Sequence, residues 1–184
     1  MRATCVAAIA LCLLGTAGDA RAEFDWPLMS ALPDHNIALG ISGGLAFSED
    51  HGRGSMGLAL GLDLSYLHGP LGVHLSLNTF RERTGWRVQP MGEVSIWYVA
   101  LFGVGVSVAP MVGELPSDAP AAPVALHALL GFPIPILSLG EADDAGGALV
   151  LVPFARPGLR LGERGAVTGH HTVGVMLKWT SFSF

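Results

Sequence analysis

Hydrophobic residues recur at every second position through most of this chain. Between Ser55 and Phe80, Met56, Leu58, Leu60, Leu62, Leu64 and Tyr66 share one parity, while Gly57, Ala59, Gly61, Asp63 and Ser65 hold the other. After His68-Gly69-Pro70 the rhythm resumes, with Val73, Leu75 and Leu77 set against His74, Ser76 and Asn78. Period-two alternation marks β-strands with two chemically different faces. It recurs in eight segments, at about 36–47, 55–67, 71–80, 88–101, 103–112, 121–132, 147–161 and 168–184. His68-Gly69-Pro70 reads as a tight turn. The links after odd segments (SEDHGRGS, RERTGWR, GELPSDAPA, GERGAVTG) are polar and loop-like, and those after even segments are mostly very short. FPIPILSLGEADDAGG, between the sixth and seventh segments, is long where a short turn is expected.

Alternation alone does not say which face is inside, because soluble barrels alternate too. The second face decides. In a soluble barrel it meets water and is rich in Lys, Glu, Thr, Arg and Asp. Here it carries Ser42, Gly57, Ala59, Gly61, Ser65, Ser76, Asn78, Gly105 and Ser107. Charged residues make up only 14% of the chain and mean hydropathy is +0.51, against about 25% charged residues in an average soluble domain. Small side chains suit the cramped lumen of a narrow barrel, in which about eight strands leave room only for side chains. The leucine and valine face is then left for lipid, and in lipid strands span only as a closed barrel. The predicted fold is all-β: a single antiparallel up-and-down transmembrane β-barrel of about eight strands over residues 36–184.

Residues 1–22, MRATCVAAIALCLLGTAGDARA, have the basic start, short apolar run and A-x-A ending of a signal peptide, with cleavage expected before Glu23. Residues 23–35 then form an N-terminal extension. Both cysteines, Cys5 and Cys12, lie in the leader, which excludes a disulfide-stapled exported domain. The formal net charge of −5 becomes one unit more acidic when Arg2, Arg21 and Asp19 are removed, and no nucleic-acid partner is expected.

The chain ends VGVMLKWTSFSF, an alternating strand whose last residue is aromatic. In this it resembles small outer-membrane β-barrel proteins of the OmpA and OmpX kind. The resemblance implies a place in the outer membrane of a Gram-negative cell. It also implies outer-membrane lipid as surroundings and the barrel-assembly machinery as a partner, recognising Phe182 and Phe184 of the C-terminal strand. The parity of Phe184, carried inward, reaches Thr180 and Lys178, whereas Val173, Val175, Leu177 and Trp179 hold the other parity. A bulge near Trp179 to Ser181 is expected to switch the face, because a lipid-facing lysine near mid-depth costs about 2–4 kcal/mol.

The ionisable groups on the inward parity are few: Asp63, His74, Glu93, Arg156 and Arg160. Isolated charges in a low-dielectric lumen are costly, so Asp63 or Glu93 is expected to pair with Arg156 or Arg160 in a structural cluster that fills the bore. His74-Leu75-Ser76 places an imidazole and a hydroxyl on one face, with Glu93 on the next segment, which are the parts of an acyl-transfer site. The His-x-Ser pair resembles that of outer-membrane lipid A deacylases, which implies a lipid-modifying hydrolase on the same scaffold as an alternative, with His74, Ser76 and Glu93 as its catalytic residues. No metal site is expected, since His170 and His171 are adjacent and point to opposite faces of a strand. No cofactor is expected either, because Gly43-Gly44 and Gly103-x-Gly105 lack the strand-to-helix setting of a phosphate loop. Trp86, Trp97, Trp179 and Tyr98 read as aromatics at the membrane boundaries. Residues 94–113 carry no charge and 120–140 only His127, so both are also long enough for helical spans of a polytopic membrane protein. A secreted soluble β-barrel is a further alternative. The expected role is that of an integral outer-membrane barrel with a structural or interaction role and a side-chain-filled lumen.

Overall fold

The computed structural model describes residues 35–50, 53–82, 85–97, 100–112, 123–139, 147–161 and 167–180. The expected leader (1–22), the Phe182 and Phe184 signal and Tyr98 lie outside those residues. So does all of the expected extension except His35, which belongs to the first strand. The strands are β1 (His35–Asp50), β2 (Arg53–His68), β3 (Leu71–Glu82), β4 (Gly85–Trp97), β5 (Leu101–Val108), β6 (Met111–Val112), β7 (Val124–Gly131), β8 (Ile134–Leu139), β9 (Gly147–Leu161) and β10 (Val167–Thr180). All pairings are antiparallel. The order runs β10-β1-β2-β3-β4-β5-β7-β9, and β9 pairs with β10 to close an eight-stranded barrel.

The two shortest strands are not additional staves. β6 continues β5 alongside β4 after a break at Ala109-Pro110, which Val88 N–H spans by donating to the Pro110 carbonyl at 3.1 Å. β8 continues β7 alongside β9 after a break at Phe132-Pro133. The long link between the sixth and seventh segments is thereby accounted for, since Ile134–Leu139 is strand. Beyond Gly131, which pairs with the first residue of β5, β8 has no strand on its other side among the described residues. Phe132 N–H donates to the Pro153 carbonyl on β9 at 3.0 Å. Amides alternate sides along a strand, so those of residues 133 and 135 would face the open edge. Both are proline, so that edge presents no donor there.

The polar links after the first and third segments are shorter than expected. β1 reaches Asp50 and β2 begins at Arg53; β3 reaches Glu82 and β4 begins at Gly85. Most of SEDHGRGS and RERTGWR is therefore hairpin rather than loop, because cross-strand pairing extends through residues whose polarity suits a wet rim. The barrel has a hairpin end, with connections at 51–52 and 83–84, and a turn end, where Gly69 takes a positive φ of 53° between β2 and β3. The uncharged 94–113 and 120–140 stretches contribute strands, not helices, and no helix among the described residues is long and apolar enough to cross a membrane.

The faces divide as the small-residue argument requires. Leu58, Leu60 and Leu62 are 51%, 49% and 61% exposed, and Asp63, Ser65, His74, Ser76 and Glu93 are buried. An apolar outer wall is incompatible with a soluble barrel. Toward the turn end Leu67, Trp97, Leu101, Leu129, Val152, Phe154 and Met176 form a buried hydrophobic cluster. Gly44 and Gly174 face each other across β1 and β10. A Cβ on Gly44 would lie 2.1 Å from the Val173 carbonyl oxygen, so the wall closes tightly there because neither residue has a side chain.

Lys178 lies where expected without the expected bulge among the described residues, and Trp97 differs from expectation. The β1–β10 register runs without a shift from Ser48↔His170 to Ala38↔Thr180, so there is no bulge through Thr180. Lys178 points into the lumen, off the lipid face as expected, and is 1% exposed. Trp97, expected at a membrane boundary, is also inside at 2% exposed, because it shares the parity of Glu93 and Ser95. Trp86 is on the outer wall as expected, at 42%.

Candidate functional site: the charged lumen

Alternation delivers polar side chains from six strands to the middle of the bore, where they form two ion-paired sets. In the first, Lys178 of β10 donates from Nζ to Asp63 Oδ1 of β2 at 2.5 Å and to Ser65 Oγ at 2.6 Å. Ser65 Oγ donates to Asp63 Oδ1 at 2.5 Å, and Ser76 Oγ to Asp63 Oδ2 at 2.6 Å, so three donors satisfy both carboxylate oxygens. His74 sits between two hydroxyls, with Nδ1 2.6 Å from Ser65 Oγ and Nε2 2.5 Å from Ser95 Oγ. Trp97 Nε1 donates to Ser95 Oγ at 2.9 Å. The Trp97 ring stacks on His74 with centroids 5.9 Å apart and lies 5.3 Å from Lys178 Nζ, within range of a cation–π contact.

In the second set Arg156 of β9 grips Glu93 of β4 with two bonds, Nε to Oε1 at 2.9 Å and NH2 to Oε2 at 2.8 Å. This is the bidentate geometry that makes arginine–carboxylate pairs strong. His127 Nε2 lies 3.0 Å from Glu93 Oε1, and the Arg156 guanidinium stands 4.6 Å from the Phe154 ring centroid. Glycines make room for both sets. A Cβ on Gly40 would meet Lys178 Cγ at 3.1 Å, and one on Gly105 would meet Glu93 Cγ at 2.6 Å and His127 Nε2 at 2.7 Å.

Of the residues singled out from the sequence, Glu93 and Arg156 come together, and Asp63 takes Lys178 rather than an arginine. Arg160 lies nearer the hairpin end, where NH2 is 3.1 Å from His170 Nδ1 and the guanidinium is 5.8 Å from the Phe80 ring. His74, Ser76 and Glu93 do not form one array. His74 bonds to Ser65 and Ser95, Ser76 to Asp63, and Glu93 to Arg156 and His127. All three side chains are buried in the lumen, away from the wall that a lipid would touch. His170 points inward and His171 outward, and no cluster of three or more metal-ligating residues occurs among the described residues. Sequence reasoning missed Lys178, Ser95 and His127 as members of the network. Each stands on the inward parity of its strand, and that parity was the available signal.

A closed antiparallel eight-stranded wall, apolar outside and charged inside, decides the class. The fold is that of the small transmembrane β-barrels. The chain is similar to the crystal structure of Neisserial surface protein A, with a TM-score of 0.55 at 10% sequence identity, over 79% of this chain and 96% of that one. No family model and no curated protein sequence matches it. At that identity the likeness concerns the fold.

Proposed function

We propose that this chain is an integral outer-membrane β-barrel with a sealed lumen, serving a structural or interaction role at the cell surface. The observation that carries the reading is the inversion of ordinary burial. Leucine, isoleucine and valine face outward along the strands, while Asp63, Glu93, Arg156 and Lys178 are enclosed. Lipid is the surroundings that stabilises such a wall, and a closed ladder leaves few backbone groups unpaired within it. Eight strands leave a bore that side chains can fill, and the two ion-paired sets with the buried apolar cluster beside them support a sealed lumen. The lumen therefore acts as a rigid strut, and contact with partners falls to the polar hairpin end. The leader pattern of residues 1–22 supports export, and the Phe182 and Phe184 ending supports delivery by the barrel-assembly machinery.

The test is fractionation followed by electrophoresis with and without boiling. The expected result is recovery in the outer-membrane fraction and a migration shift on heating. Recovery in a soluble fraction, or identical migration before and after boiling, overturns the proposal.

A further inference from the structure

At the turn end of the barrel the β1–β2 ladder finishes on two histidines. His35 opens β1, His68 closes β2, and the two are direct cross-strand partners. Residues opposed in an antiparallel pair point to the same face. Here it is the outer one: both histidines are exposed and share the outward parity of Tyr66. Their imidazole rings lie 4.5 Å apart, centroid to centroid, with planes 22° from parallel. Tyr66, the diagonal neighbour of His35, brings its hydroxyl oxygen to 2.6 Å from His35 Nδ1.

This arrangement matches a two-histidine metal site. Metal–nitrogen bonds of about 2.0–2.1 Å set the centroids of two imidazoles on one ion about 4.5–5 Å apart. The rings already stand at that separation. The outer torsion of a histidine side chain is soft, so turning each ring directs one nitrogen of each at a shared point above the strand pair. Tyr66 supplies what a ligating histidine usually has, a partner on the other ring nitrogen that fixes its orientation. With Nδ1–H donating to the Tyr66 oxygen, the Nε2 lone pair of His35 goes to the ion. On His68 the ion displaces whatever proton or contact the ligating nitrogen holds, since ligation takes the neutral ring.

We propose that His35 and His68 form a binding site for one late first-row divalent cation, copper(II) first in affinity, with Tyr66 as the positioning residue behind His35. Imidazole suits copper, nickel and zinc, and copper(II) heads their order of affinity. Two protein ligands leave the other coordination positions to water, so the ion is held at the surface. It clips the first residue of β1 to the last of β2, where that ladder ends. The site needs only the β1–β2 pairing and stands apart from the transmembrane reading.

The experiment is a titration of the full chain, refolded in detergent, with copper(II) alone. It is read by electron paramagnetic resonance and by the shift in unfolding temperature, with heat-modifiable migration checked for each variant. The wild type is expected to bind one copper(II) through two imidazole nitrogens and to unfold at a higher temperature with the ion than without it. His35→Gln and His68→Gln are each expected to weaken binding by more than about tenfold and to abolish the shift. Asparagine at the same position repeats the measurement where a glutamine variant does not fold. Tyr66→Phe is expected to weaken binding about tenfold with both nitrogens kept in the spectrum. His171→Gln, on the outer wall near the hairpin end, is expected to bind as the wild type does. Absence of binding by the folded wild type leaves a plain ring stack and overturns the site. Wild-type affinity in both histidine variants, or an equal loss in His171→Gln, overturns it too. An unchanged affinity in Tyr66→Phe overturns the role given to Tyr66.

Discussion

Lys178 of β10 reaches past β1 to Asp63 of β2, crossing at Gly40, whose missing side chain leaves the passage open. Gly40 pairs with both residues in the two ladders, opposite Lys178 on one side and Asp63 on the other. One ion pair thus bridges three strands, including the two that carry the described ends of the chain together in the wall. It is fully enclosed, so its loss from one side strands an uncompensated charge.

Lys178→Met is therefore expected to destabilise the folded barrel by about 3–5 kcal/mol. The double variant Lys178→Met with Asp63→Leu removes both charges and is expected to recover most of that loss. Urea unfolding in lipid vesicles, followed by tryptophan fluorescence, checks both values. A double variant no more stable than the single one would show that the pair does not act as a unit.

Gly105→Val places a branched side chain where Glu93 and His127 meet, at distances a Cβ does not tolerate. The expected outcome is loss of the heat-modifiable form or destabilisation of several kcal/mol. Gly54→Ala, at a position where a Cβ meets nothing within 4 Å, is expected to fold as the wild type does.

Tryptophan environments test the orientation of the wall. In single-tryptophan variants reconstituted with brominated lipid, Trp86 is expected to be quenched and Trp97 protected, since the first is on the outer wall and the second in the lumen. Strong quenching of Trp97 would contradict its burial against His74.

The sealed lumen proposed above predicts the absence of conduction. The folded chain is expected to give no discrete current steps in planar bilayers, because an eight-stranded bore is narrow and two ion-paired sets and a buried apolar cluster contribute side chains to it. Regular steps at neutral pH would show an open path.

The β7–β9 seam is expected to exchange its backbone amides first. His127 to Leu130 and residues 154–158 have an interrupted ladder, whereas the β1–β2 ladder runs unbroken from His35↔His68 to Asp50↔Arg53. Hydrogen exchange in micelles read by mass spectrometry checks the order.

The strands, their number and the outward direction of the leucines follow from local sequence, because side-chain direction in a strand has period two and each face declares its surroundings through composition. The same parity places Asp63, His74, Glu93 and Arg156 inside. It also places Lys178 there, and Trp97 too, against the role expected of Trp97 as a boundary aromatic. What alternation does not contain is the stagger between strands, which sets who meets whom across the bore. Only the closed barrel decided that Lys178, far along the chain from Asp63, neutralises it, and that Glu93 takes Arg156 and His127. Likewise FPIPIL belongs to a link longer than the short turn expected there, yet β9 recruits Ile134–Leu139 as a strand. Parity is a property of one strand, whereas partners are a property of the register among eight.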